Sequence, residues 1–150
     1  MIEAGIVFLT RVLGQAIGDR VELLVLHIGV EHPTGLRPAF ADDGRVLGPP
    51  PPVLRLTVLA APRTSADALA AADAVLEFFH QRPVFDAATA PSLGPLGIAR
   101  LTVAVQPLDL GTLAAVWQGL QRPALPALTW QVTLVPGTPT SVVRAGPDDR

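Results

Sequence analysis

Three histidines, thirteen carboxylates and a few serines are the residues of this chain that could do acid–base, metal or nucleophilic chemistry. His27 lies inside an apolar run. A ligand or general-base role needs partners at set spacings, and no Cys, no HExxH and no spaced set of acids surrounds it. It reads as a hydrogen-bonded core or interface histidine. His32 reads as a loop residue and His80 as a cation near a helix C-terminus. The three contexts share no ligand spacing, so no metal site is expected. Asp73 and Glu77 sit one helical turn apart and repel slightly, which suits a solvated face that a basic partner could also use. Asp42-Asp43 precede Gly44 in a turn-like stretch, or serve as contacts in an ordered loop. Ser65, Ser92 and Ser141 lack the GxSxG setting of an activated nucleophile. The glycines of Pro91–Gly97 lack the Lys-Ser/Thr of a phosphate loop, and the Gly14/Gly18 spacing has meaning chiefly in membrane helices. With no cysteine, disulfides, thiolate metal sites and a Cys nucleophile are excluded. No catalytic, cofactor-binding or metal set emerges, and the expectation is a protein that is not an enzyme.

The composition points the same way. Of 150 residues, 49% are hydrophobic and 16% charged, the latter well under the usual ~25%. So few charges leave a small monomer short of polar cover, which favours burial against partners. The net charge of −2 supports neither nucleic acid nor an anionic membrane as partner. Every cation is Arg. The first residues lack a basic leader, and no apolar run approaches the ~18 residues needed to span a bilayer. A soluble chain without its own export signal is expected.

The elements that would position any site follow from periodicity. Ile2, Ile6, Leu9, Leu13 and Ile17 predict a helix over Ile2–Ile17, ended by Gly18. Val21–Val30 is a nearly continuous apolar run, as expected of a strand buried on both faces. Val53–Ala61 alternates, with Leu54, Leu56 and Val58 opposing Val53, Arg55 and Thr57. Thr64 and Asp67 resemble a capping box for a helix from about Ser65 to His80, with Leu69, Ala72, Leu76 and Phe79 on its stripe. Val84–Gly97 reads as a loop. Ala99–Gln106 alternates again, with Arg100, Thr102 and Gln106 outward. Asp109 is a plausible N-cap for a helix carrying Leu110, Leu113, Trp117 and Leu120. Pro123 and Pro126 stop it, and Leu128, Trp130, Val132 and Leu134 form the last strand. The expected fold is a single α/β (α+β) domain of order α-β-β-α-β-α-β, a four-stranded sheet packed by helices. Residues 1–135 form the domain and 136–150 a mobile C-terminal tail. The long Pro-rich stretch His32–Pro52 is expected, with the tail, to order against neighbours.

Trp117 and Trp130 are the large anchors. Core packing accounts for both, and either could also straddle a subunit boundary. The candidate interface residues are these two with Arg37, Asp42, Asp43 and Arg45 of the Pro-rich stretch and Arg144 of the tail.

Four pieces, in this order and spacing, resemble a known family: Pro51 through Leu59 (PPVLRLTVL), Phe78 through Phe85 (FFHQRPVF), Leu101-Thr102-Val103, and Leu113 through Trp117 followed by Leu125 through Val132 (LPALTWQV). The family is the tail-terminator or cap protein of phage-tail-like contractile injection systems, of the antifeeding-prophage and virulence-cassette type. Trp130 stands where the family often has Tyr, and His32–Pro52 matches little. The resemblance implies a ring, hexameric, on the baseplate-distal end of the inner tube and sheath, where it ends polymerisation. It implies no catalytic residues and no cofactor, with partners limited to itself and the tube and sheath proteins. The chain would be cytoplasmic during assembly and then part of the particle. Two alternatives stand beside it. One is a small-ligand-binding or enzymatic α/β domain with the two Pro/Gly loops as its mouth. The other is an adaptor domain docking by strand addition.

Overall fold

The apolar stripe of the first segment forms α1 (Ile2–Ile17), which ends at Gly18 with φ of 72°. A computed structural model describes residues 1–32 and 52–137 of the chain. Leu9 and Leu13 of the expected stripe are buried, and Phe8 joins them. Gly5 faces the sheet as well. A Cβ there would meet the Leu134 methyls at 3.0 and 3.2 Å, so the missing side chain lets α1 lie close to the strands.

The second helix, α2 (Ala68–Gln81), starts later than the capping-box reading placed it. Asp67 makes no cap bond. Its carboxylate instead accepts Nε and Nη2 of Arg20, at 2.6 and 2.7 Å. Phe79 of the expected stripe is buried, but the stripe before it is shifted by one residue. It runs Ala68, Ala71, Val75, Phe79, while Leu69 is 73% exposed. Both stripes have helical spacing; the one with small residues at its start lets α2 approach the sheet more closely. By contrast α3 (Leu110–Gly119) begins as expected, with Asp109 accepting the Thr112 N–H.

Among the described residues five strands form the sheet, not four: β1 (Val21–Glu31), β2 (Val53–Pro62), β3 (Val84–Asp86), β4 (Ile98–Val105) and β5 (Leu128–Pro136). Their spatial order is β1-β2-β5-β4-β3, with every neighbouring pair antiparallel. The last strand in sequence is therefore central. The segment Val84–Gly97, expected as a loop, supplies β3 and then a 3-10 helix at Pro91–Leu96. Three residues are too short a run for alternation to be visible, yet Phe85 and Leu93 are buried in the core. Gly97, at φ 72°, makes the left-handed turn into β4. The expectation that β1 is buried on both faces fails. It is an edge strand, and Val25, Ile28 and Val30 are 37%, 47% and 52% exposed.

Cross-strand register sorts the side chains. Leu54, Leu56, Val58 and Ala60 of β2 share a face with Leu128, Trp130, Val132 and Leu134 of β5, and with Leu101 and Val103 of β4. α1 and α2 cover this face and bury one large cluster with Phe8, Leu13, Val75 and Phe79. Phe8 meets Phe85 edge-on at 5.4 Å and Phe79 meets Trp130 at 4.9 Å. A smaller cluster lies on the opposite face, where Trp117 of α3 packs on Leu59 and Ala61 with Leu24 and Leu26 beside them. Ion pairs tie the turns at this end. Beyond Arg20–Asp67, Arg63 meets Asp19 at 2.8 Å and Arg122 meets Glu22 at 2.9 Å. All are solvent-accessible, so they orient the turns more than they stabilise them.

Candidate interaction surface

One sheet face is sealed by two helices. Among the described residues the other is covered only where α3 sits, and the rest of it is left open. Two cross-strand rows define it. The first runs Gly29, Arg55, Thr133, Thr102, Val84 across all five strands. The second runs His27, Thr57, Gln131, Ala104. Glu31, Arg100 and Asp86 flank the first row. Arg55, Arg100, Ala104 and His27 are exposed, and Thr57, Thr102, Thr133 and Gln131 are half-buried. The sequence expectation of Arg, Thr and Gln on outward positions is thus realised on a single contiguous surface.

Its charges are internally matched. Arg55 pairs with Glu31 at 3.0 Å. The Asp86 carboxyl is held below the ordinary carboxylate range, first by the Thr89 backbone N–H and hydroxyl, with a smaller contribution from the nearby Arg100 charge. The Thr57 hydroxyl donates to Oε1 of Gln106 at 3.1 Å, spanning from β2 to the end of β4. The Thr129 hydroxyl donates to the Gln106 carbonyl, and the Gln106 N–H returns to the Thr129 carbonyl. The result is a nearly neutral plane of hydroxyls and amides held in register by the sheet. Such a plane offers many hydrogen-bond partners and little desolvation cost from unpaired charge, which suits a protein surface.

The other sequence candidates fall elsewhere. Trp130 is 2% exposed in the large cluster and Trp117 3% exposed under α3. Neither indole N–H has a hydrogen-bond partner among the described residues, so both side chains act through bulk. Arg37, Asp42, Asp43, Arg45 and Arg144 lie outside the described residues. His27, expected in a core or interface, is exposed on the open face, and Asp73, Glu77 and His80 are exposed on α2. Among the described residues no group of three His, Asp or Glu is placed to hold a metal ion. No described helix is long and apolar enough to cross a membrane. One lip of the ligand mouth considered from sequence is absent as such, because Val84–Gly97 packs inward through Phe85, Ala90 and Leu93.

One concavity among the described residues, about 590 Å³, lies along Asp73, Glu77 and His80 of α2. A second, about 270 Å³, lies between Glu22, Arg63, Trp117 and Arg122, where both guanidinium groups are already committed to carboxylates. Neither gathers a convergent polar set of the kind a small-molecule site needs.

No curated protein matches the chain. A family model described as the Pvc16 N-terminal domain matches residues 18–149. The match takes in all five strands, α2 and α3, and with them the whole open face. The chain belongs to the Pvc16 N-terminal domain family, named for a phage-tail-like, antifeeding-prophage-type protein.

Proposed function

We propose that this chain is the structural cap of a phage-tail-like contractile injection system, forming a ring of six at the baseplate-distal end and ending tube and sheath polymerisation. The observation that carries the reading is the open sheet face: a broad, near-neutral, hydrogen-bonding plane that the described elements leave uncovered. Family membership and the sequence resemblance supply the particle type. Tubes and sheaths are helical polymers of heterologous contacts, and such contacts do not stop unaided. A terminator must match the last ring on one surface and offer no further addition site on the other. The two sides of this sheet differ in that sense, since α1 and α2 seal one, and among the described residues the other is open to match a partner.

Deleting the gene is expected to give sheath–tube particles of uncontrolled length, or unstable ones, while baseplates still form. Electron microscopy of purified particles reads the outcome. Normal-length, firing-competent particles from the deletion strain would overturn the terminator reading. Supplying the purified protein to tube ends is expected to produce rings, and class averages without six-fold symmetry would remove the ring number.

A further inference from the structure

Most of the apolar stripe of α3 is covered. Trp117 is buried, and Leu113 and Leu120 pack beside it in the smaller cluster. Leu110, the first member of that stripe, is 85% exposed, more than any other large hydrophobic side chain among the described residues. Beside it stands Asp109, whose carboxylate accepts the Thr112 N–H and meets no cation among the described residues. The start of α3 is thus an apolar knob with an acid at its root. Its apolar area contributes nothing to the fold and gains free energy only by leaving water elsewhere.

The other end of α3 carries the complementary shape. The concavity of about 270 Å³ is lined there by Trp117, Pro62 and Leu125, with the exposed Arg63 and Arg122 beside them. Gln121, at φ 53°, turns the chain in a conformation uncommon for a residue with a side chain, and Arg122 then reaches Glu22 of β1. Among the described residues Arg63 gives one side-chain hydrogen bond, to Asp19, and Arg122 one, to Glu22. A guanidinium has five N–H donors, so both can take a further carboxylate. The two undescribed segments attach at the opposite end of the sheet. Residues 33–51 join the end where Glu31 faces Val53, and 138–150 follow Gly137 beside Gly97, whereas the hole lies at Glu22 and Pro62. At ~1.5 Å per residue, Leu110 and Trp117 lie about 10 Å apart along the helix, so the knob does not fill the hole of its own chain. We propose that the two form the contact between neighbouring copies in the ring: Leu110 of one copy seats in the hole of the next, against Trp117, Pro62 and Leu125, with Asp109 facing Arg63 and Arg122. An apolar anchor in a preformed pocket, with charges matched around it, is the arrangement that dominates protein contacts. Knob and hole are different surfaces, so the contact is heterologous, the kind from which rings close. It uses none of the cross-strand rows of the open face. The contact rests on the ring reading, which supplies the neighbouring copy.

The chain has no cysteine, which makes the test direct. Leu110→Cys and Pro123→Cys put thiols on the exposed knob and on the exposed lip of the hole. Particles assembled with the double variant, mildly oxidised or treated with a short bismaleimide, are expected to give a covalent ladder on a denaturing gel without reductant. The last rung of that ladder reads the ring number. Either single variant is expected to stay monomeric, as is Leu69→Cys combined with Pro123→Cys, since Leu69 is also well exposed but lies on α2. Leu110→Lys decides the matter where the double variant enters particles poorly. It should lower incorporation at least tenfold with an unchanged melting temperature, while Leu110→Met retains most of it. A double variant present in particles that cross-links no more than the Leu69 pair would overturn this contact and leave the ring reading standing. Leu110→Cys alone cross-linking as well as the double variant would mean that like surfaces meet, and would overturn it too, as would normal assembly of Leu110→Lys. Absence of the unmodified chain from particles would remove the ring reading and this contact together.

Discussion

The helix-packed face and the open face of the sheet are built from the same strands and alternate residues, yet they carry different duties. On the first, Leu56, Val132, Leu134 and Leu101 are within 1% of full burial. On the second, the residues between them are Arg55, Thr57, Gln131, Thr133 and Thr102, exposed or half-buried. Stability therefore resides on one side, where apolar area leaves water. The other side is free to be chosen for a partner at little cost to the fold. The α3 segment shows an intermediate solution, since it covers one end of the open face through a single fully buried side chain, Trp117.

The largest effects should come from the two tryptophans, and their ranking tests the comparison. Trp130→Ala removes the centre of the large cluster and should cost about 3–5 kcal/mol. Trp117→Ala should cost about 3 kcal/mol and act locally, with faster hydrogen exchange in Leu110–Gly119 and little change in β5. Denaturant titrations with exchange mass spectrometry check both. A larger loss from Trp117→Ala would mean that the open side carries more of the fold than its packing indicates. Next comes Gly5→Val, which forces α1 off Leu134. Overpacking of this kind should cost about 1–3 kcal/mol, visible as a lower melting temperature.

A smaller effect is expected from pH. Arg20, through its hydrogen bonds and then its charge, holds the Asp67 carboxyl below the ordinary range, and Thr112 does the same for Asp109. A carboxylate lowered in the folded chain contributes stability above its unfolded pKa of about 4. That contribution is lost as pH falls from there through the lowered value. Asp67→Asn should therefore flatten the acid limb of the stability profile and leave the slope near pH 7 unchanged. Thermal melts between pH 2.5 and 7 measure it, and an unchanged acid limb would mean that the pair does not hold the turns.

Periodicity made α1, α3, β2, β4 and β5 legible, because each has at least three repeats of its apolar pattern and a clear stop such as Gly18 or Pro123. It was ambiguous for α2, where two stripes one residue apart both scan as helical. Which one packs is decided by how closely Ala68 and Ala71 let the helix approach the sheet, a tertiary fact. β3 was invisible because three residues carry no period. The apolar run of β1 suggested burial on both faces, but strand order decides what is an edge, and order is not written in any one strand. The outward Arg, Thr and Gln positions were readable strand by strand. Their union into one surface needed the register, which large side chains such as Trp117 and Trp130 do not reveal. Both indoles are inside the protein, whereas Thr102, Gln131 and Thr133 are ordinary outward residues that no motif singles out.

The smallest effect on stability should accompany the sharpest effect on assembly. Gln131 lies mid-row on the open face, between Thr57 and Ala104. Gln131→Glu keeps the size and shape of the side chain and adds one negative charge. On a partly hydrated surface such a change should stay within about 0.5 kcal/mol, so the melting temperature should hardly move. If that face is buried against a partner, the new carboxylate loses its water without a matched cation, since Arg55 and Arg100 already face Glu31 and Asp86. Leaving a charge unpaired in a buried contact costs several kcal/mol. Incorporation of Gln131→Glu into particles should then fall at least tenfold, with Gln131→Asn retaining most of it. The matched control is Glu77→Gln on α2, which changes charge by the same amount on the helix side and should assemble normally. If Gln131→Glu assembles as well as the control, the open face is not the surface that meets the particle, and the contrast between the two sides would describe only how the domain folds.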